Sequence, residues 1–229
     1  MQRPYTTLFM LVSVDGKIST GDNDLMDVDK DFPKITGIKE GLYQYYDIER
    51  TTDFFSLNTG RVLEKIGINK RKDEPERTPV TFVVIDNKPH LTKNGITYLS
   101  KKSLRTIIVT TNHKHIALKL KIPNVEVITY KNKVNFSDLF RRLQKNYGAK
   151  RVTIQSGGTL NSSLIREGLI NRLLLVVAPV MIRGKNTSTL MDGESLHSAK
   201  ELTKIKTLKL IKAKVLKNSY LFLEYKLKN

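Results

Sequence analysis

Hydrophobic positions along the chain form two patterns, continuous apolar runs and helically spaced stripes. The apolar runs are rich in β-branched residues and end at turn-forming residues, which is typical of buried β-strands. The first run ends at Asp15-Gly16, and another ends at Asp86-Asn87-Lys88-Pro89. Together the runs predict strands at residues 5–14, 54–57, 80–85, 104–110, 125–130, 151–155, 173–182, 207–216 and 220–225.

The clearest helical stripe lies at residues 136–147. Its apolar side chains recur at spacings of three and four, Asn135 can cap its start, and Gly148 can end it. Weaker patterns predict three more helices: one from Pro33 to about Glu49, one at 59–65 and one at 159–167.

The order of these elements predicts the fold class. Strands that alternate with helices, followed by strands with hairpin-length gaps, indicate an α/β protein whose sheet is parallel early and antiparallel late. Because no Gly-, Ser- or Pro-rich linker divides the chain, we expect one domain over residues 1–229. The alternation at 211–215 predicts a strand with one buried face and lysines on its solvent face.

The net charge raises the question of an anionic partner. The chain has 40 Lys and Arg against 22 Asp and Glu, a formal charge of +18, and the whole excess lies after residue 60. A basic surface attracts polyanions. However, the lysines are scattered, they do not alternate with aromatic residues, and no nucleic-acid-binding motif is visible. A site for a phosphate-bearing small molecule is therefore favoured over a basic, non-catalytic module that binds nucleic acid.

Several other features of the sequence limit the possible functions of the protein. The chain has no Cys, which excludes disulfides and thiolate metal sites and favours a reducing, cytoplasmic location. No apolar run approaches the roughly 20 residues of a membrane helix, and no cleavable leader is visible, so we expect no membrane association. The Asp-rich segment 22–31 lacks the spacing of a calcium loop, and no metal site is expected. His113 and His115 are interpreted as a surface pair.

A glycine pair marks the first candidate site, in Ser156-Gly157-Gly158-Thr159-Leu160-Asn161. Two glycines between a strand and a helix allow the backbone to approach a ligand, and the helix start offers free N–H groups to a phosphate. A plain tight turn is the alternative. No Gly-x-Gly-x-x-Gly occurs, so the chain lacks the Rossmann fingerprint.

The second candidate site, Asn58-Thr59-Gly60-Arg61, also follows a strand and opens a helix. Here Arg61 can offer a guanidinium to a nucleotide 2′-phosphate. An Asn cap beside a surface Arg is the alternative. Two strand-to-helix turns of this kind in one sheet favour a dinucleotide with a diphosphate bridge.

The third candidate site is Ser13-Val14-Asp15-Gly16-Lys17-Ile18 at the end of the first strand. Open α/β sheets bind ligands at the carboxyl ends of their strands. From that position Asp15 can hydrogen-bond a heterocycle, and Lys17 can neutralise a substrate phosphate. An ordinary Asp-Gly turn beside a solvated lysine is the alternative.

These motifs resemble those of a known family. Residues 7–19 look like the opening strand of the reductase domain found at the C-terminus of bifunctional riboflavin-biosynthesis deaminase/reductases. The segment 157–161, followed by Leu164, by Glu167-Gly168-Leu169-Ile170 and by Ala178-Pro179-Val180 to Gly184, is similar to that family's second signature in order and spacing. Residues 79–86 resemble its middle strand. The zinc-binding Cys and His ligands of the deaminase half are absent.

The resemblance implies a dihydrofolate reductase-like fold with about eight strands, NADPH as cofactor and a homodimer. The implied reaction opens the ribose of 5-amino-6-(5-phosphoribosylamino)uracil and places a hydride on C1′. The implied substrate contacts are Asp15, Lys17, Asn23 and Ser156, with Asp15 and Lys17 as catalytic candidates. The implied cofactor contacts are Leu11, Leu25, Asn58, Thr59, Gly60, Arg61, Asn87, Gly157, Gly158, Thr159, Leu160 and Asn161.

The chain departs from the family pattern on the substrate side. Ser156 stands where the family usually has Glu, and Lys65-Ile66-Gly67 replaces the family's Asp-Asp-Pro. A related reductase that acts on a pteridine or dihydrofolate is therefore the alternative within the enzyme class.

Overall fold

The apolar runs form nine strands in the computed structural model, which describes residues 3–228. They belong to a mostly parallel sheet, so the predicted α/β class is confirmed. The sheet has the nine strands that the apolar runs predict, whereas the family resemblance implied about eight. The strands are β1 (Tyr5–Ser13), β2 (Phe55–Thr59), β3 (Thr81–Ile85), β4 (Arg105–Thr110), β5 (Val125–Thr129), β6 (Arg151–Ile154), β7 (Arg172–Ala178), β8 (Leu208–Val215) and β9 (Leu221–Leu227).

Six α-helices are present within the described residues: α1 (Val28–Asp31), α2 (Tyr43–Glu49), α3 (Gly60–Lys65), α4 (Lys93–Lys102), α5 (Phe136–Tyr147) and α6 (Gly158–Arg166). Helix α5 has its predicted bounds, with Asn135 as its cap and Gly148 left-handed at φ 72°. The predicted helix from Pro33 to Glu49 is wrong. A short 3₁₀ turn at Phe32–Lys34 and left-handed Gly37 interrupt it, and α2 begins only at Tyr43.

The described chain divides into two units. The first comprises residues 3–5 and Asp53–Ser156, and its strand order β5-β4-β3-β2-β6 is parallel throughout. Its core includes Leu63, Val84, Ile96, Leu99 and Ile108, so α3 and α4 pack against β3 and β4. The expectation of one domain over residues 1–229 stays a prediction.

The second unit comprises Thr6–Thr52 and residues 157–228, with strand order β1-β7-β9-β8. Strands β1 and β7 are parallel, and β9 is antiparallel to both β7 and β8, so the predicted late antiparallel part is confirmed. Its core holds Phe9, Leu11, Phe32, Val176 and Tyr220, where α1 and α2 cover one face of the strands. Phe9 stacks on Tyr45 of α2 at 4.9 Å.

Strand β8 differs from its prediction. Every residue of β8 is exposed, and a bulge interrupts its pairing with β9 between Leu210 and Lys212. The alternation predicted one buried face, but within the described chain no element covers it. No helix within residues 3–228 is long and apolar enough to cross a membrane.

Candidate active site

The side chains of the third candidate motif, at the end of β1, hold a loop that follows β7. The Asp15 carboxylate accepts the Ile182 N–H at 3.1 Å through Oδ1 and the Arg183 N–H at 2.7 Å through Oδ2. The Lys17 ammonium donates to the carbonyls of Gly184 at 2.7 Å and Thr187 at 3.0 Å. These two catalytic candidates are therefore brought together by contacts with the backbone of the loop.

The hydrogen bonds of Asp15 also fix its protonation state. The Ser13 hydroxyl, followed by the N–H groups of Arg183 and Ile182, lowers the pKa of Asp15 to about 2. Because hydrogen bonding to the charged form favours that form, Asp15 is a carboxylate at neutral pH. It can orient a group or accept a proton, but it carries no proton to donate.

The glycine pair begins helix α6, as predicted. Gly157 is the N-cap residue, with ordinary backbone angles of φ −72° and ψ 157°, and a Cβ there would meet nothing within 4 Å. Gly157 has no side chain to cap the helix, so backbone N–H groups at this start can face an anion.

Gly158 is constrained by the protein itself. A Cβ at Gly158 would collide with the carbonyl of Thr189 and the carboxylate of Asp192. Asp192 is held there by the N–H and hydroxyl of Thr189. Gly158 therefore lets the segment after β7 pack against α6.

The loop after β7 contacts both the motif at the end of β1 and helix α6. On one side Leu190 donates its N–H to the Gly16 carbonyl at 2.9 Å, and Ile18 donates to Ser188 at 3.0 Å. On the other side buried Asn161 donates to the Leu190 carbonyl at 2.9 Å. The end of β1 and the start of α6 are distant in sequence, and residues 180–192 join them in space.

The second candidate motif lies in the first unit. Asn58 is the buried fourth residue of β2 and donates to the Ser56 hydroxyl at 2.8 Å. Thr59 caps α3 by accepting the Val62 N–H, so the Asn-cap alternative is wrong. Arg61 is exposed in the first turn of α3.

A buried Asp86–His115 pair supports this turn, and the sequence patterns missed it. Both side chains are fully buried, and His115 Nε2 lies 3.0 Å from Asp86 Oδ2. His115 Nδ1 accepts the Ala117 N–H at 3.1 Å, which assigns the proton of a neutral ring to Nε2. The interpretation of His115 as a surface residue is therefore wrong.

Asp86 also explains why residue 60 is a glycine. Its carboxylate accepts the N–H groups of His90 and Leu91 at 3.0 Å each and packs so closely on Gly60 that a Cβ there would overlap it. A glycine in a turn gives no hint of such a neighbour in a single sequence. The available signal was a mostly apolar strand, β3, that is followed directly by an Asp.

The remaining predicted site residues differ in accessibility. Leu11 is buried in the core of the second unit, whereas Leu25 is 81% exposed. Asn23 is exposed and accepts the Leu25 N–H at 2.9 Å, while Asn87 accepts the Thr111 N–H at 2.9 Å. Ser156 is buried and lies two residues after the end of β6.

Two further predicted contacts lie on α6. Thr159 is exposed, and Leu160 is half-buried. The functional role of each stays a prediction.

The described residues contain no group of three or more His, Asp or Glu side chains placed to hold a metal ion. The polar side chains of the candidate motifs, such as Asp15, Asn58 and Asn161, instead pair with backbone groups or with neighbouring side chains. What the motifs can offer a ligand is N–H donors, an ionised carboxylate and exposed cations, a set suited to phosphates and heterocycles.

Comparison with known proteins gives the family. The model of the RibD C-terminal domain matches residues 4–222. The chain belongs to this family. As a RibD C-terminal domain, it carries its two sequence signatures on β1 and at the start of α6, joined by the loop after β7.

Two curated relatives resemble this RibD C-terminal domain over most of their lengths. Both are named 2,5-diamino-6-ribosylamino-4(3H)-pyrimidinone 5′-phosphate reductase. The protein of Archaeoglobus fulgidus is 28% identical, with 89% of this chain and 93% of the relative covered. That of Methanothermobacter thermautotrophicus is 26% identical, with 85% and 86% covered.

Among solved structures, RibD of Acinetobacter baumannii has the same fold. It matches with a TM-score of 0.69 and 15% identity over 99% of this chain. The chain spans 59% of the length of that RibD protein.

Proposed function

We propose that this RibD C-terminal domain is a riboflavin-biosynthesis reductase that acts on 2,5-diamino-6-ribosylamino-4(3H)-pyrimidinone 5′-phosphate. The observation that carries the proposal is the family match over residues 4–222, joined by relatives named for this reaction that match along most of their lengths. The deaminated pyrimidine implied by the sequence resemblance, 5-amino-6-(5-phosphoribosylamino)uracil, is the competing substrate.

We also propose NADPH as the reductant. The start of α6 fits a diphosphate, because Gly157 leaves open space beside uncapped N–H groups. Arg61, exposed on the first turn of α3, fits a 2′-phosphate. When bound, the reduced nicotinamide supplies the hydride that C1′ of the opened ribose receives. Leu11, Leu25, Asn58, Thr59, Gly60, Asn87, Gly158, Thr159, Leu160 and Asn161 stay as predicted cofactor contacts.

The protein's own groups support binding and orientation. Asp15 is ionised and keeps the loop after β7 in place, so it orients its neighbours instead of donating a proton. Lys17 uses two of its three N–H donors on the loop, which leaves one donor for an anionic ligand. Asn23 and Ser156 stay as predicted substrate contacts.

The proposed reaction is tested by mixing the purified chain with NADPH and each pyrimidine separately. We expect loss of nicotinamide fluorescence and a ribityl product two mass units heavier with the diamino compound. Faster turnover of the uracil compound would transfer the assignment to that substrate. Turnover of dihydrofolate or a pterin, with neither pyrimidine reduced, would refute the riboflavin assignment.

Arg61 gives a test of the cofactor. If its guanidinium binds the 2′-phosphate, Arg61→Ala weakens NADPH binding by about 10- to 100-fold, as expected for the loss of charge-assisted bonds. NADH binding stays within about twofold, because NADH lacks that phosphate. Fluorescence titration of both cofactors measures the two affinities. An equal loss for both would refute this role of Arg61.

We further propose a homodimer located in the cytoplasm. The uncovered apolar residues of β8 support a dimer, since a second copy would remove them from water. The absence of Cys agrees with a reducing compartment.

A further inference from the structure

The loop after β7 contains two consecutive residues with left-handed backbones. Arg183 has φ 67° and Gly184 has φ 89°. Glycine adopts this conformation readily, but arginine seldom does, because its Cβ crowds the backbone. Strain of this kind persists only where surrounding contacts enforce it, and it is concentrated at functional sites.

The contacts that enforce it come from the first signature. Asp15 Oδ2 accepts the Arg183 N–H at 2.7 Å, and Lys17 Nζ donates to the Gly184 carbonyl at 2.7 Å. A backbone hydrogen bond from Val14 to Val180, at 2.9 Å, fixes the start of the same loop. The two residues predicted to be catalytic therefore determine the backbone conformation of Arg183.

Arg183 lies at the edge of the sheet where a ligand is expected. It follows the carboxyl end of β7, which pairs in parallel with β1, and open α/β sheets bind ligands beyond the carboxyl ends of such strands. Its side chain is exposed. A guanidinium matches the oxygens of a phosphate in a bidentate geometry that an ammonium does not reproduce.

We propose that Arg183 binds the 5′-phosphate of the pyrimidine substrate, and that Asp15 is the positioning residue that holds Arg183 in the required conformation. This inference rests on the proposed function for the identity of the substrate. It assigns a specificity role to a residue that the sequence motifs did not single out as a site residue. It also gives the ionised carboxylate of Asp15 a role that requires no proton.

The test compares Arg183→Asn with Lys185→Gln. Asparagine tolerates a left-handed backbone, so the first variant removes the guanidinium with little effect on the fold. Lys185 is an exposed cation two positions away and serves as the control for net charge. We expect Arg183→Asn to lower kcat/KM by about 10- to 100-fold with the 5′-phosphorylated substrate and by less than about twofold with its dephosphorylated ribosyl analogue. Lys185→Gln should change neither value by more than about twofold.

Asp15→Asn tests the positioning role. It should reduce the preference for the phosphorylated over the dephosphorylated substrate, whereas general damage to the fold would lower both activities alike. Arg183→Gly should lose the same preference without a fall in melting temperature, because glycine adopts the left-handed backbone without strain. An unchanged preference in Arg183→Asn and Arg183→Gly would overturn the proposal.

A separate binding experiment distinguishes this inference from the proposed function. Ribose 5-phosphate, titrated calorimetrically into the wild-type chain and Arg183→Asn, should bind the wild-type chain at least about 10-fold more tightly. If the wild-type chain reduces neither pyrimidine, the proposed function fails, and this titration still decides whether Arg183 binds a sugar phosphate. Equal affinities would overturn the inference while leaving a measured reductase activity intact.

Discussion

At the scale of single residues, the two glycines at the start of α6 have different tasks. Gly157 faces open space, whereas Gly158 is in close contact with Thr189 and Asp192. A bulky substitution at Gly158 would therefore disturb the packing of the protein whether or not a diphosphate binds. Only a substitution at Gly157 can therefore test whether a diphosphate binds at the start of α6.

Alanine substitutions at the two positions should separate these tasks. Gly158→Ala should lower the free energy of unfolding by about 1–3 kcal/mol, since the added methyl group overpacks the contact with residues 189–192. Gly157→Ala should change stability by less than about 1 kcal/mol, because its φ of −72° suits alanine. Urea denaturation measures both values.

The same pair tests the diphosphate site. Gly157→Val should weaken NADPH binding in a fluorescence titration while the chain keeps its cooperative unfolding. Unchanged NADPH affinity in Gly157→Val would exclude the start of α6 as the diphosphate site.

At the scale of elements, carboxylates connect α1 to its surroundings. Asp29 of α1 accepts the hydroxyl of Tyr46 in α2 at 2.9 Å, while Asp31 accepts the Asp27 N–H at 3.0 Å and the Lys34 ammonium at 3.0 Å. Burial, followed by the charge of Asp27, raises the pKa of Asp29 to about 6. Burial also opposes ionisation of Asp31, but hydrogen bonds from Thr20 and Lys34 outweigh it, and the pKa of Asp31 is lowered.

These opposite shifts predict opposite effects of pH. A carboxyl whose pKa is raised on folding stabilises the fold in acid, and that contribution is lost as the pH rises through about 6. Relative to the wild-type chain, Asp29→Asn should therefore gain on the order of 1–3 kcal/mol in unfolding free energy between about pH 4 and pH 7. Denaturant titrations over this range measure the gain.

Asp31→Asn is the matched control on the same short helix. A lowered pKa stabilises the fold above the unfolded value, so this variant should lose stability relative to the wild-type chain as the pH rises. If both variants respond to pH in the same direction, the account of these carboxyls is wrong.

At the scale of the whole molecule, β8 and β9 expose an apolar surface. Leu208, Leu210 and Val215 of β8 are 41%, 51% and 75% exposed, and Leu221 of β9, opposite Val215, is 38% exposed. Exposed apolar patches on this scale commonly mark protein interfaces. A second copy of the chain, related by a twofold axis, can cover such a patch with the same patch.

The dimer proposal predicts that a charge on this surface separates the copies. In gel filtration coupled to light scattering, the wild-type protein should have twice the molar mass of its 26.2 kDa chain. Leu210→Lys should have the mass of a monomer. Lys214→Gln, on the opposite face of β8, should remain dimeric. A monomeric wild-type chain would refute the proposal.

The sequence itself determined the elements with strong local signals. The bounds of α5 follow from its apolar spacing, the cap at Asn135 and the left-handed glycine at 148, all of which act within one helix. The strands of the parallel part were predictable because burial on both faces requires continuous apolar runs. The two signature motifs were also predictable, because each is a short strand-to-turn transition with a local sequence pattern.

Tertiary structure alone decided which partners the polar groups of these motifs have. The contacts of Asp15 with Arg183, of Asp192 with Gly158 and of His115 with Asp86 join residues that are far apart in sequence, and their side chains find one another only when the strands pair. The same holds for the uncovered face of β8, because alternation marks a face as apolar without saying what covers it. Periodicity is a local property of the chain, whereas hydrogen-bond partners and burial depend on the packing of distant segments.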